Sequence, residues 1–219
     1  MKIARVILLF LGFVFSFSLF AADPQVEFRT NYGNFVIELY PEKAPKTVAN
    51  FLEYVNTGFY EYTVFHRVID RFMVQGGGFS PDLKQKETAP PIPSEADNGL
   101  KNTFGTVAMA RRFDPNTAAA EFFINIADNN HLNYYKPEPA LMGYCVFGRV
   151  VQGMEVVESI AHIPTHSVGK LKELPVQDVV IEKVALLETP VMYAEREKKL
   201  KISPSERIVK SSKKGKPRG

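Results

Sequence analysis

Hydrophobic and polar positions nearly alternate from Gln25 to Thr30 and again from Asn34 to Tyr40, on either side of Asn31-Tyr32-Gly33-Asn34. A period of two marks a half-buried strand, and Asn and Gly at the break suit a tight turn, so this segment reads as a hairpin. The period then changes. After Pro41 and Pro45, the residues Val48, Phe51, Leu52 and Val55 recur at helical spacing, and Asn56-Thr57-Gly58 supplies a stop, which predicts a helix of about three turns. From Tyr62 to Gln75 aromatic and β-branched residues dominate, so two short strands are expected there, terminated by Gly76-Gly77-Gly78. Phe79 to Asn102 is dense in proline and charge and reads as a long surface loop. Strands resume at Thr106 to Ala110, Phe122 to Ile126 and Cys145 to Val150. A second helix is expected around Gly153 to Ala161, on the stripe Met154, Val157 and Ile160, and a last strand from Val176 to about Leu187.

Many short strands and two short helices, without the regular strand-helix alternation of a parallel sheet, predict a mainly β, antiparallel architecture compatible with a closed barrel. The ends of the chain do not share this pattern. Lys2 and Arg5 precede an apolar run from Val6 to Phe20 that closes on Ala21-Ala22. The run is shorter than the roughly 20 residues that span a bilayer, so residues 1–21 read as a cleavable signal peptide rather than an anchor. Residues 22–190 form the expected domain. From Val191 to Gly219, ten Lys/Arg stand against three Glu, a net +7, whereas the whole chain carries +3. With +2 in the signal, Ala22 to Pro190 is left at −6, an acidic domain with a basic and flexible tail. Such a tail aids solubility and has the chemistry for weak contact with an anionic surface. Export and the acidic domain argue against a nucleic-acid partner.

Cys145 is the only cysteine, so no intramolecular disulfide can form, and its apolar surroundings suit an inert buried thiol. Arg67 poses a sharper question, because it lies among Phe65, Val68 and Ile69 and a guanidinium there needs a partner or a cleft. Phe72, Met73 and Phe123 could line a pocket for a compact apolar ring beside a carbonyl, as in a prolyl peptide, although their residue types alone favour ordinary core packing. His162 and His166 are four apart, but Pro164 between them argues against a helical metal pair, and no metal is expected. Gly76-Gly77-Gly78 lacks the lysine of a phosphate loop and reads better as a close backbone approach.

Six segments, taken in order, resemble cyclophilin motifs: Ala44 to Phe51, Phe65-His66-Arg67-Val68-Ile69, Phe72 to Gly77, Gly105 to Ala110, Phe122-Phe123-Ile124 and Val146 to Val150. The resemblance covers roughly Val26 to Leu187 and is strongest for the bacterial periplasmic members. It implies an eight-stranded antiparallel barrel capped by two helices, peptidyl-prolyl cis-trans isomerase activity without a cofactor, and a periplasmic location, with secretion as the alternative. It also implies that Arg67 donates hydrogen bonds to the prolyl region and that Gln75 binds the substrate backbone. Phe72, Met73, Phe123 and Leu132 would form the proline pocket, with Ala110 and Arg111 lining the groove through their backbone.

Arg111 departs mildly from the family's usual asparagine, which a backbone role tolerates, and three other positions depart more. Glu121 replaces a glutamine, and an ion pair with it could divert Arg67. His131 stands where a tryptophan is associated with cyclosporin binding, and Tyr144 replaces a groove histidine, so weak cyclosporin binding is expected. Proline-containing polypeptides are the implied partners, a monomer the default state, and a non-catalytic proline-peptide-binding chaperone the alternative function.

Overall fold

The alternating segments at the start of the domain pair with each other because each has one apolar edge to hide. In the computed structural model, which describes residues 23–187, β1 (Gln25–Thr30) and β2 (Gly33–Leu39) form the expected hairpin. Val26 and Phe28 of β1, with Phe35, Ile37 and Leu39 of β2, are buried on its inner face. The signal peptide and basic tail expected from the sequence lie outside the described residues.

The remaining strands are β3 (Thr63–Ile69), β4 (Met73–Phe79), β5 (Thr106–Met109), β6 (Phe122–Asn125), β7 (Val146–Gln152), β8 (Thr165–Val168), β9 (Leu171–Pro175) and β10 (Val180–Leu187). Eight of the ten close into an antiparallel barrel in the order β1-β10-β3-β4-β6-β5-β7-β2, while β8 and β9 form a separate two-stranded sheet. Closure removes the unpaired edges that an open sheet would expose.

The interior is aromatic. Phe28 and Phe35 stack with centroids 5.1 Å apart, Phe51 lies 4.9 Å from Phe147, and Phe122 meets Tyr60 edge-on at 5.5 Å. Tyr60 is fully buried, and its hydroxyl donates to the Ala120 carbonyl at 2.9 Å, which satisfies the polar atom this ring carries into the cluster. Helix α1 (Pro45–Asn56) inserts Val48, Phe51 and Val55, and α2 (Met154–Ala161) inserts Val157 and Ile160. The first turn of α1 lacks a side-chain cap of its own. Glu95, from the long loop after β4, accepts from the Lys46 and Thr47 amides at 3.1 and 2.8 Å instead, so a carboxylate occupies the positive end of the helix and ties the loop down.

Three expectations need correction. Gly76-Gly77-Gly78 does not end a strand; it lies inside β4. A Cβ on Gly78 would collide with the Glu121 side chain, so the absence of side chains admits a close neighbour and does not break the ladder. The last strand starts at Val180, not Val176, and Val176 is exposed. Finally, the β8–β9 hairpin was not expected at all. It turns on Gly169-Lys170, with Gly169 at φ +58 as a two-residue hairpin turn beginning on glycine requires.

Candidate active site

One row of cross-strand partners carries the site. Arg67 of β3 faces Gln75 of β4, Gln75 faces Phe123 of β6, Phe123 faces Ala108 of β5, and Ala108 faces Val146 of β7. Directly opposed residues in a sheet project to the same side, and alternate residues along each strand project to the other. Val74, Val107, Phe122 and Phe147, each adjacent to a member of the row, belong to the barrel interior. The row therefore lies on the outer wall.

That outer wall is apolar where a solvated sheet face would be polar. Met73, Ala108, Phe123 and Val146 form a second buried cluster, with Ile69, Phe72, Leu100, Ala110, Leu132 and Tyr144 partly buried against it. A pocket of about 120 Å³ opens there, lined by Arg67, Phe72, Met73, Gln75, Ala110, Arg111, Phe123, Leu132 and Tyr144. The structure thus brings nine of the eleven expected site residues to one cavity. His131 stacks on Phe72 with centroids 5.6 Å apart, at the pocket's edge. Glu121 lies in an adjoining cavity of about 300 Å³ that shares Gln75, Ala110 and Arg111 and extends to Gln85, Arg112 and Thr117.

Glu121 does not capture Arg67. Its Oε2 accepts from Gln75 Nε2 at 2.8 Å and lies 3.3 Å from His66 Nε2, and its Oε1 accepts from Gln85 Nε2 at 3.5 Å. Burial pushes the Glu121 pKa up, but the hydrogen bond and charge of His66, with the Gln75 and Gln85 donors, outweigh it and hold the carboxyl below its ordinary value. A carboxylate only accepts, so Gln75 must turn its NH2 group toward Glu121, which leaves its carbonyl oxygen on the other side. His66 is buried, as a supporting group would be, and its Nδ1 has no hydrogen-bond partner among the described residues.

Arg67 is paired elsewhere. Its Nε donates to Glu173 Oε2 of β9 at 3.5 Å, and the two side chains are 39% and 40% exposed. No hydrogen bond among the described residues occupies either terminal nitrogen of the guanidinium. The expected choice between an ion pair and a cleft resolves into both, weakly paired at one nitrogen and open at the others.

Arg111 does more than expose its backbone. Its side chain donates to the Gly143, Arg112 and Phe113 carbonyls at 2.9 Å each and to Pro139 at 3.3 Å, and the guanidinium lies 4.6 Å from the Tyr144 ring centroid. It joins two loops and packs against one wall of the pocket.

The sequence also concealed a polar support. Asn125 Nδ2 donates to Thr106 Oγ1 at 2.9 Å and Asn102 Oδ1 at 3.2 Å; Asn129 Nδ2 donates to Asn125 Oδ1 at 2.7 Å and the Phe72 carbonyl at 2.8 Å. Asn102 Nδ2 in turn donates to the Leu132 and Tyr144 carbonyls at 3.0 and 3.3 Å. Three buried asparagines thus fix the backbone of three pocket residues. Asparagines beside strand ends were the available signal, but in sequence such residues also read as turn formers.

Cys145 is buried, and burial raises its thiol pKa to about 11 despite a contact to Thr47 Oγ1 at 3.5 Å. His162 bonds the Glu158 carbonyl at 2.6 Å, and no cluster of metal-binding side chains is assembled among the described residues.

Residues 25–186 match the family described as "Cyclophilin type peptidyl-prolyl cis-trans isomerase/CLD". Peptidyl-prolyl cis-trans isomerase B of Escherichia coli K12 is 52% identical over 163 residues, covering 74% of this chain and 99% of the relative. A peptidyl-prolyl cis-trans isomerase of Acinetobacter baylyi is 51% identical over 165 residues, covering 75% and 86%. Among solved structures, a cyclophilin type isomerase of Cryptosporidium parvum is similar with a TM-score of 0.63 at 26% identity, covering 77% of this chain and 99% of that one. The chain belongs to the family of cyclophilin-type peptidyl-prolyl cis-trans isomerases.

Proposed function

We propose that this isomerase acts on X-Pro bonds of exported proteins, with Arg67 as the donor that lowers the rotational barrier. Resonance opposes rotation about a peptide bond by about 18–20 kcal/mol, and X-Pro bonds populate both isomers yet interconvert over tens to hundreds of seconds. A hydrogen bond to the prolyl nitrogen favours its pyramidal form, in which the lone pair is withdrawn from the carbonyl. Catalysis then follows from stabilising the twisted state more than either planar one, in a site that excludes much of the water. No proton is transferred and no nucleophile is needed.

The observation that carries this reading is the cross-strand pair of Arg67 and Gln75 beside a pocket of about 120 Å³ walled by Phe72, Met73, Phe123 and Leu132. The prolyl ring fits the apolar wall. The terminal nitrogens of Arg67 serve the nitrogen, and the Gln75 carbonyl oxygen accepts from the substrate backbone. A non-catalytic chaperone was attractive while Glu121 threatened to divert Arg67; its engagement with Gln75 and His66 supports turnover instead. A coupled assay on a proline-containing peptide tests this. The protein should accelerate isomerisation and Arg67→Ala should lose about 10²–10³ of kcat/KM, the size of one transition-state donor; equal rates for the two would refute it.

The signal-like residues 1–21 support a periplasmic location, where slow prolyl steps limit folding. Residues 22–190 would be the mature isomerase domain, monomeric, and residues 191–219 a basic tail suited to weak contact with anionic surfaces. His131 and Tyr144 support weak cyclosporin binding, which inhibition at tight, stoichiometric concentrations would disprove.

A further inference from the structure

The β8–β9 hairpin lies outside the barrel, yet it contributes the carboxylate that reaches Arg67. Between the pairs His166–Leu174 and Val168–Leu171, β8 has only Ser167 where β9 has both Lys172 and Glu173, so β9 carries one extra residue. An extra residue of this kind re-aims the side chains around it. Glu173 takes φ 53, the left-handed region where a residue with a Cβ is uncommon and Gly or Asn is favoured. The consequence is directional: Leu174 is buried, while the Glu173 carboxylate reaches Arg67 Nε at 3.5 Å. His66, Lys170, Leu171 and Lys172 line the same open cleft, but no ion pair forms between either lysine and Glu173.

We propose that Glu173 is a positioning residue for the catalytic arginine. This rests on the reading of Arg67 as the prolyl donor. A half-exposed arginine has many rotamers, and its planar fork is useful only when aimed. Holding Nε from the hairpin side selects the rotamers whose two terminal nitrogens face the pocket. Stability alone does not account for the arrangement. An exposed pair at 3.5 Å contributes little to folding, and the backbone that presents it sits in a disfavoured conformation that asparagine would tolerate better. An ordinary strand residue at this position would have relieved that strain at the expense of the contact.

The test compares wild type, Glu173→Gln, Glu173→Asn, Arg67→Lys and the double variant Arg67→Lys/Glu173→Gln, measuring kcat, KM and thermal midpoint at low salt and at about 1 M salt, where the Debye length is about 3 Å. At low salt, both Glu173 variants should lose about two- to fivefold in kcat, the range an exposed ion pair can command, with KM little changed. Their deficit relative to wild type should shrink in high salt. The thermal midpoint should hold in Glu173→Gln and hold or rise in Glu173→Asn. On the Arg67→Lys background, where Nε of the fork is gone, Glu173→Gln should add nothing. Wild-type kcat in Glu173→Gln alongside a crippled Arg67→Lys overturns the positioning role alone, as does a loss of kcat matched by a loss of thermal midpoint. Full activity in Arg67→Lys overturns the reading of Arg67 itself, and the positioning role with it.

Discussion

Phe122 and Phe123 are neighbours in β6, and the barrel wall runs between them. Phe122 joins the aromatic interior with Phe28, Phe51 and Tyr60, whereas Phe123 joins Met73, Ala108 and Val146 on the outside. Both are buried, yet they are buried by different means. The inner ring lies among the other interior residues, while the outer one lies among Met73, Ala108 and Val146 in a cluster against which Phe72, Ala110, Leu132 and Tyr144 are only partly buried. The inner face is closed and serves stability. The outer face is left with a concavity, and a row of partners delivers Arg67 and Gln75 to its margin. An apolar outer wall next to a weakly paired guanidinium is wasteful for folding and useful for holding a proline.

If the two faces divide labour in this way, substitutions should separate activity from stability. The largest separation is expected at Arg67. Beyond its loss of activity, Arg67→Ala should keep its thermal midpoint within about 2 °C of wild type, because a half-exposed side chain with one long pairing contributes little to folding. A drop of many degrees would make Arg67 a structural residue.

Next in size is Asn125→Ala, which strands buried groups on Asn102, Thr106 and Asn129. It should cost about 1–3 kcal/mol by denaturation and also lower kcat/KM, since Asn129 would lose its hold on the Phe72 backbone. Stability loss with undiminished activity per folded molecule would uncouple the network from the pocket.

Smallest is Glu121→Gln. The folded carboxyl lies below its ordinary value of 4.5, so its contribution is present above that value and is lost as pH falls through the folded pKa. The variant's thermal midpoint should therefore fall less steeply on acidification than that of wild type. Its kcat/KM should change by about fivefold or less, through the freed orientation of the Gln75 amide. Parallel acid profiles would remove Glu121 from the account of stability.

Much of this division was legible in the sequence, though not its sides. Alternation gave β1 and β2 directly, and helical spacing gave α1 and α2. In β4, β5 and β6 both faces are apolar, so the period of two vanishes and Phe122 cannot be told from Phe123 by pattern. Residue types therefore favoured core packing throughout. Family resemblance identified the outer set, and register shows why that set converges. The glycines of β4 misled because a strand that needs close approach and a strand that stops look alike in sequence. The β8–β9 hairpin went unseen because β8 is exposed along its whole length and offers no apolar period, leaving only Gly169-Lys170 as a turn signal. With it went Glu173, whose approach to Arg67 depends on an extra residue in β9 that no periodicity reveals.

The most direct measurement is a side-by-side comparison of Phe122→Ala and Phe123→Ala, each examined for unfolding free energy and for proline-peptide isomerisation per folded molecule. Phe122→Ala should lose about 3–5 kcal/mol of stability, as large core truncations do, while its folded fraction stays active. Phe123→Ala, whose ring is also buried, should lose stability too, by about 3–5 kcal/mol or somewhat less, but in addition at least about tenfold in kcat/KM. Wild-type kcat/KM in Phe123→Ala, or equal losses of both quantities in the two variants, would contradict the assignment of catalysis to the outer wall.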